Sequence, residues 1–378
     1  MNRSLPLLQT TSRPALPPEL LSDLQARGLR WIDPSGPGLS RSGGAGPSDH
    51  KAITVADQTV MVPIFTHAAA GSPYSAIVRA GSSSATLHRD GVALGEVTFP
   101  PMPRFYARAT ADGIPYWKIA RLHGEDVLAT TVLQTCTRYG RRETSCQFCA
   151  IGQSLASRAT LAEKTPAQLA EVAAAAVTLD GVKHVVLTTG TPATPDRGAA
   201  VLSAAARAIK RAVAIPIQGQ CEPPADFAWF ERMAEAGIDS LGMHLEAVTD
   251  DVRRRIMPGK AEVPIESYFT AFARAVEVFG RGQVSTYLLA GLGDSIEAIE
   301  GACRELARLG VYPFVVPFVP IAGTPLEHHP PPAPAFLEAV LGRVAAVIAE
   351  AGLRSGDVKA GCARCGACSS LRAREARS

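Results

Sequence analysis

Residues 127–153 read VLATTVLQTCTRYGRRETSCQFCAIGQ. An apolar, β-branched run ends at Thr135, and the loop that follows carries three cysteines, Cys136, Cys146 and Cys149, at the spacing C-x9-C-x2-C. That composition predicts a strand whose C-terminal end leads directly into the thiols. The same unit, strand then helix, recurs down the chain. Further strands are predicted at HVVLTT ending at Thr189, IPIQGQ ending at Gln220, SLGMHLE ending at Glu246, VSTYLLAG ending at Gly291 and VYPFVVPF ending at Phe318. Thr165 and Pro166 supply a cap and a first-turn proline for AQLAEVAAAAVTL, and residues 294–309 show a 3.6-residue apolar stripe stopped by Gly310. Six βα units predict a parallel sheet, either an open doubly wound sheet or a six-stranded partial barrel. In both, the C-terminal strand ends form the working face.

Upstream, PPELLSDLQARG reads as a short helix ended by Gly28, and ITVADQTVMVPIF, YSAIVRAG, GVALGEVTF and YWKIARLHGEDVLATTVL read as short β-rich runs. Between helix and strands, residues 31–50 contain twelve Gly, Pro or Ser out of twenty, which predicts a surface loop. Three parts are therefore expected: a β-rich N-terminal domain over 1–125, a βα core over 126–352 and a cysteine-rich C-terminal tail over 353–378. With 378 residues, 47% of them hydrophobic and 19% charged, the chain can bury a large core. No run of 18 uncharged apolar residues is present, so no membrane helix is expected. The N-terminal stretch MNRSLPLLQTTSRP lacks the apolar segment of a secretory signal, and a cytoplasmic location is expected. A net charge of +3 gives no basic field, so nucleic acid is not an expected partner.

Eight cysteines in such a chain, six of them in two groups, point to metal rather than to disulfides. Three thiolates can hold three irons of a [4Fe-4S] cluster and leave the fourth iron open; zinc with a distant fourth ligand, or thiols that bind nothing, are the alternatives. The second group, GCARCGACSS, places Cys362, Cys365 and Cys368 in the C-x2-C-x2-C register of a ferredoxin run but lacks the fourth cysteine. A second iron-sulfur cluster is expected there, with structural zinc as the alternative. Cys303 reads as core, and Cys221 at a strand end as a possible distant ligand. Arg138, Arg141 and Arg142 read as a solvated face of the cysteine loop. QGQCEPP places Gln218, Gln220 and Glu222 at a strand end, suited equally to substrate contact and to internal hydrogen bonding.

Taken with Phe148 directly before Cys149 and the six βα units, the first cysteine group resembles that of the radical S-adenosylmethionine (SAM) superfamily, whose common spacing is C-x3-C-x2-C. Downstream motifs carry the resemblance further. TTGTP, with Thr188, Thr189, Gly190 and Thr191, stands where the superfamily has a Gly-rich segment whose backbone meets the amino group of SAM; on its own it is also a plain βα turn. GMHLEAVTDDVRRRIMPGK is similar to a stretch of biotin synthase, which implies ribose contacts for His244 and Glu246 and a methionine-carboxylate contact for Lys260. LLAGLGDSIEA matches G-x-I-x-G-x-G-E with Asp294 in place of Glu and implies cofactor contacts for Gly291 and Gly293. PFVPIAGTPLE ends in the GTPL of biotin synthase and its relatives, but Ala322 replaces the cluster-ligating Arg and Thr188 or Thr189 the strand-two cysteine, which disfavours sulfur insertion of that kind.

The resemblance implies an α/β fold, a partial (β/α)6 TIM-like barrel with a small β-rich N-terminal domain and a cysteine-rich tail. It implies an enzyme that holds a [4Fe-4S] cluster on Cys136, Cys146 and Cys149, cleaves SAM reductively and takes hydrogen from a small substrate. An electron donor such as flavodoxin or ferredoxin is the implied partner. The whole chain is most similar to a bacterial radical SAM family encoded beside a nitrilase, which implies nitrile- or cyanide-related nitrogen metabolism. A non-enzymatic iron-sulfur or zinc scaffold is the rival reading. The N-terminal domain and the tail are expected to fold over the mouth of the barrel.

Overall fold

A computed structural model describes residues 18–33, 50–79 and 81–375. The N-terminal stretch MNRSLPLLQTTSRP and almost all of the Gly/Pro/Ser-rich loop expected over 31–50 lie outside the described residues.

Two sheets organise the chain. The first contains β1 (Arg30–Ile32), β2 (His50–Val55), β3 (Gln58–Pro63), β4 (Tyr74–Val78), β5 (Ser84–Arg89) and β6 (Val92–Thr98), in the order β1-β4-β5-β6-β2-β3. All its pairs are antiparallel except β1 with β4. Sequence reading passed over β5, SATLHR, whose half-polar composition hides an alternation of buried and less buried residues. The helix Pro18–Arg27 packs on this sheet, with Leu21, Leu24 and Leu29 buried in its core.

The second sheet contains β7 (Arg121–His123), β8 (Val127–Thr131), β9 (His184–Thr188), β10 (Ile217–Gln220), β11 (Ser240–Gly242), β12 (Val284–Ala290) and β13 (Val311–Pro317), paired in chain order. From β8 to β13 every pair is parallel, and the sheet curls into a half barrel with its helices outside. Strands β8 and β13 are buried along their whole length, as parallel strands covered on both faces must be. The six expected strands are present, and β7 adds an antiparallel strand at the edge. The helix Pro166–Asp180 begins with a reciprocal capping box between Thr165 and Gln168 and ends at Gly181 in the left-handed region. Ser295, rather than Asp294, caps the helix Ile296–Leu309.

One predicted strand is cut short. SLGMHLE is regular only to Gly242, because the imidazole Nδ1 of His244 accepts the Tyr287 N–H at 3.2 Å and the Thr286 hydroxyl accepts the Leu245 N–H at 2.9 Å. Side chains thus take ladder bonds that backbone would otherwise make, and Glu246 turns to φ +66.

The tail and the N-terminal sheet lie at the base of the barrel, not over its mouth. Four side chains at or near the N-terminal starts of the strands hold the tail backbone: His184 Nδ1 accepts the Gly361 N–H (3.1 Å), Gln218 Oε1 the Cys362 N–H (3.3 Å) and Gln283 Oε1 the Lys359 N–H (2.9 Å), while the Ser240 hydroxyl donates to the Ala360 carbonyl (2.7 Å). All four are buried, so leaving them unpaired would be costly, and the tail satisfies them. Only glycine fits at 361. Its φ is +111, and a Cβ there would lie 2.1 Å from Gln218. The N-terminal sheet follows the tail to the base, with the Met61 N–H and the Gln25 side-chain amide both donating to the Ala367 carbonyl.

Burial pushes the His184 imidazole down to about 4, so the folded protein resists its protonation. The resulting stability is fully present above the unfolded value near 6.5 and is lost as pH falls through about 4. Thermal unfolding is expected to show a falling melting temperature over that window. His184→Asn, whose carbonyl can still accept the Gly361 N–H, should flatten this acid limb; an unchanged pH profile would remove His184 as its source.

Candidate active site

The loop after β8 folds back on itself. Thr144 and Ser145 hydroxyls both donate to the Arg138 carbonyl, at 2.8 and 3.0 Å, and the Ser145 N–H reaches the Arg141 carbonyl at 2.8 Å. The nine-residue spacer is thereby a compact turn. It leans on the segment that presents Lys260: the Gln147 N–H bonds the Ile256 carbonyl (2.7 Å), and the Gly259 N–H bonds the Thr144 carbonyl (3.2 Å). TTGTP passes directly against the same loop, where a Cβ on Gly190 would lie 2.1 Å from the Thr135 carbonyl oxygen. Its Thr191 carbonyl accepts the Thr137 N–H at 2.9 Å.

Cys136, Cys146 and Cys149 all line one cavity of about 400 Å³ that runs down the barrel interior. Burial raises the Cys149 thiol to about 11 and the Cys146 thiol well above its ordinary value, with the Glu246 carboxylate adding to the latter. Around the thiols stand two ion pairs. Lys260 Nζ donates to Glu246 Oε2 at 2.9 Å, and Arg138 pairs with Glu222, which also accepts from the Thr191 hydroxyl at 2.7 Å. Burial alone would lower Lys260, but Glu246, with Glu222 among the further contributors, holds its ammonium up. Burial would likewise raise Glu222, yet Lys260 and Arg138 hold its carboxyl below the usual range. His244 is driven down to about 3 by burial and by Lys260, so its ring is neutral. Since Nδ1 accepts the Tyr287 N–H, the proton sits on Nε2, which is buried without a partner, as is Glu222 Oε2.

Seven of the nine residues expected to contact a cofactor line this cavity: Thr188, Thr189, Gly190, Thr191, His244, Glu246 and Lys260. Gly291 and Gly293 do not. Gly291 packs on Pro332 and its carbonyl accepts from His329, while Gly293 lies against the Arg255 guanidinium. Asp294, next to them, accepts the Val248 and Thr249 N–H groups, so that turn orders the helix Asp250–Ile256. Arg138 was expected on a solvated face and instead points inward to Glu222; Arg141 and Arg142 are exposed. Arg253 is buried against the Tyr268 ring and bonds the Val263 carbonyl, away from the cavity. Cys303 is buried within its helix, and Cys221 lines the cavity.

Cys362 and Cys368 reach the same cavity from its base. Tyr287 and His123 also line it, and sequence reading missed both. Tyr287 lay unmarked inside VSTYLLAG, and His123, on β7, lay unmarked inside the β-rich run YWKIARLHGEDVLATTVL.

The donor set at the mouth fits a four-iron cluster. Three thiols face one space, two of them disfavoured as bare thiolates, and beside them stand an ammonium, a neutral imidazole N–H and an unpartnered carboxylate oxygen suited to a zwitterionic ligand. Among the described residues no three His, Cys, Asp or Glu side chains are arranged to grip a single metal ion. A cubane holds its thiolates farther apart than a lone zinc does.

Residues 134–306 match the Radical SAM superfamily model. The chain carries a radical SAM domain. Among curated proteins it is 33% identical over 112 residues to bacteriochlorophyllide c C-7(1)-hydroxylase of Chlorobaculum limnaeum, covering 29% of this chain and 28% of that protein. It is 31% identical over 134 residues to a probable dual-specificity RNA methyltransferase of Moorella thermoacetica, covering 35% and 38%. The chain thus spans between a quarter and two fifths of the length of these relatives. Methylornithine synthase is similar in structure with a TM-score of 0.47 at 18% identity, covering 66% of this chain and 69% of that one. Because one relative of the radical SAM domain is named for RNA, net charge is no argument against a nucleic-acid substrate. No helix among the described residues is long and apolar enough to cross a membrane.

The Lys260–Glu246 pair yields a test. Lys260→Met leaves a largely buried carboxylate unpaired, at a cost toward the lower end of about 3–5 kcal/mol because Glu246 keeps some exposure. Lys260→Met combined with Glu246→Gln should recover most of that loss in denaturant unfolding. An additive double variant would mean that the pair does not interact.

Proposed function

We propose that the chain is a radical SAM enzyme acting on a small substrate held in the barrel interior between its two cysteine groups. The observation that carries this reading is one cavity lined by Cys136, Cys146 and Cys149 together with Lys260, Glu246, His244 and TTGTP. Cys136, Cys146 and Cys149 would hold a [4Fe-4S] cluster, which when bound supplies an electron for reductive cleavage of SAM. Lys260 offers its ammonium to the methionine carboxylate, Glu246 and His244 meet the ribose, and the backbone of TTGTP meets the amino group. Arg138 and Glu222 fix the cysteine loop against TTGTP, so the thiols and the cofactor contacts move as one body.

Toward the base the cavity is lined by uncharged groups, among them Gln25, Gln220 and Tyr287, which favours a small uncharged substrate. The similarity to the nitrilase-linked family extends this to nitrile- or cyanide-related nitrogen metabolism. Cys362, Cys365 and Cys368 hold a second cluster in this reading, an electron donor of the flavodoxin or ferredoxin type serves the first, and the three parts 1–125, 126–352 and 353–378 act as base sheet, catalytic barrel and plug.

Anaerobic reconstitution with iron and sulfide, followed by SAM and dithionite, is expected to release 5′-deoxyadenosine. Cys146→Ala should abolish it, and Glu246→Ala should weaken SAM binding while iron content stays unchanged. A reconstituted protein whose spin signal ignores SAM and that forms no 5′-deoxyadenosine would favour the scaffold reading.

A further inference from the structure

We propose that His123 is the fourth protein ligand of an iron-sulfur cluster on Cys362, Cys365 and Cys368, so that the cluster at the base is closed by a Cys3His set. This rests on the second-cluster reading above. Among the described residues 369–375 no further cysteine follows Cys368, and the fold brings a different donor to the group. His123 Nε2 lies 3.2 Å from Cys368 Sγ, and both residues are buried. The next residue, Gly124, at φ +60, lets the β7–β8 turn lie on the tail: a Cβ there would be 3.0 Å from Cys365 Sγ. The hairpin therefore meets two of the three sulfurs. Gln220 Nε2 donates to Cys362 Sγ at 3.3 Å, and the Tyr287 hydroxyl lies close to both Cys362 and Cys368.

The local backbone matches this use. Cys362–Cys365 forms one helical turn closed by Gly366 in the left-handed region, which brings Cys368 back toward the first thiol. Gln220 donates a hydrogen bond to sulfur, the kind of support that a thiolate-bound cluster uses. His123, Cys362 and Cys368 all line the base of the cavity, so the three donors open onto one space. Four protein ligands leave no open iron, so this site differs from the one at the mouth: it can exchange electrons and does not bind substrate. An imidazole in place of a thiolate also removes a negative charge and raises the potential.

The test uses the full chain with Cys136, Cys146 and Cys149 all replaced by Ala, reconstituted anaerobically without SAM. About four irons per chain are expected to remain, with nitrogen hyperfine coupling on the reduced cluster's spin signal. Adding His123→Cys should keep the iron, abolish the coupling and lower the potential. Coupling that persists in His123→Cys removes His123 as ligand, and zinc in place of iron removes the cluster. Absence of metal from the triple variant, when the wild type holds about four irons and forms 5′-deoxyadenosine, overturns the base cluster and leaves the radical SAM reading standing. In the wild type the same coupling should appear on one of two signals, which guards against a triple variant that fails to fold.

Discussion

A half barrel cannot leave the polar side chains inside it without partners, and here the partner is the chain's own C-terminus. His184, Gln218, Ser240 and Gln283 lie at or near the N-terminal starts of β9, β10, β11 and β12, buried and committed to tail backbone between Lys359 and Cys362. Each unmade bond would leave a buried polar group at a cost of about 1–3 kcal/mol. The consequence reaches past the tail. Ala367 receives bonds from Met61 and Gln25, and Arg374 donates to Ser22, so the N-terminal helix and sheet are docked on the plug as much as on the barrel.

With the base sealed, the mouth carries the charge. Lys260 and Arg138 face Glu246 and Glu222, two positive against two negative, within a wall that also holds three thiols. The groups are neutral in sum before any ligand arrives, and each ion pair has a partner close enough to offset its burial. Thiolates would upset that balance by about three negative charges; burial holds the Cys146 and Cys149 thiols up, and a bound cation is what would favour their thiolates. The long spacer between Cys136 and Cys146 belongs to the same arrangement, since its turn docks on the segment that delivers Lys260.

Much of this was legible in the sequence. Apolar strands and capped helices gave the βα order, because parallel strands buried on both faces leave an unbroken hydrophobic signature. TTGTP, His244, Glu246 and Lys260 stood out through likeness to known motifs at strand ends. Non-local pairing was invisible. Arg138 meets Glu222 across a separation of 84 positions, and Cys368 meets His123 across 245. The position of the tail was misread for the same reason: GCARCGACSS announces thiols, but the groups that receive it, one from each of several strands, have no pattern of their own along the chain. Gly291 and Gly293 come from a motif as local as TTGTP, yet they stand outside the cavity lining, one against Pro332 and the other against the Arg255 guanidinium.

The two ends of the cavity are chemically unlike, and the difference follows from which chain elements build them. Loops after the strands supply the mouth, and they bring the ion pairs and the partly exposed thiols. Hydrogen-bonded backbone supplies the base, where the facing side chains are amide, phenol and imidazole. Tyr287 joins the two ends: its ring lies edge-on to His244 at 4.6 Å, its N–H holds that imidazole, and its hydroxyl touches the tail thiols. Burial and the neighbouring sulfurs push the Tyr287 phenol well up, so it remains a hydrogen-bond donor and adds no charge between the charged mouth and the neutral base. A side chain that fixes the imidazole at one end and lies against the sulfurs at the other makes the spacing between the two cysteine groups a property of one strand, β12, rather than of the loops.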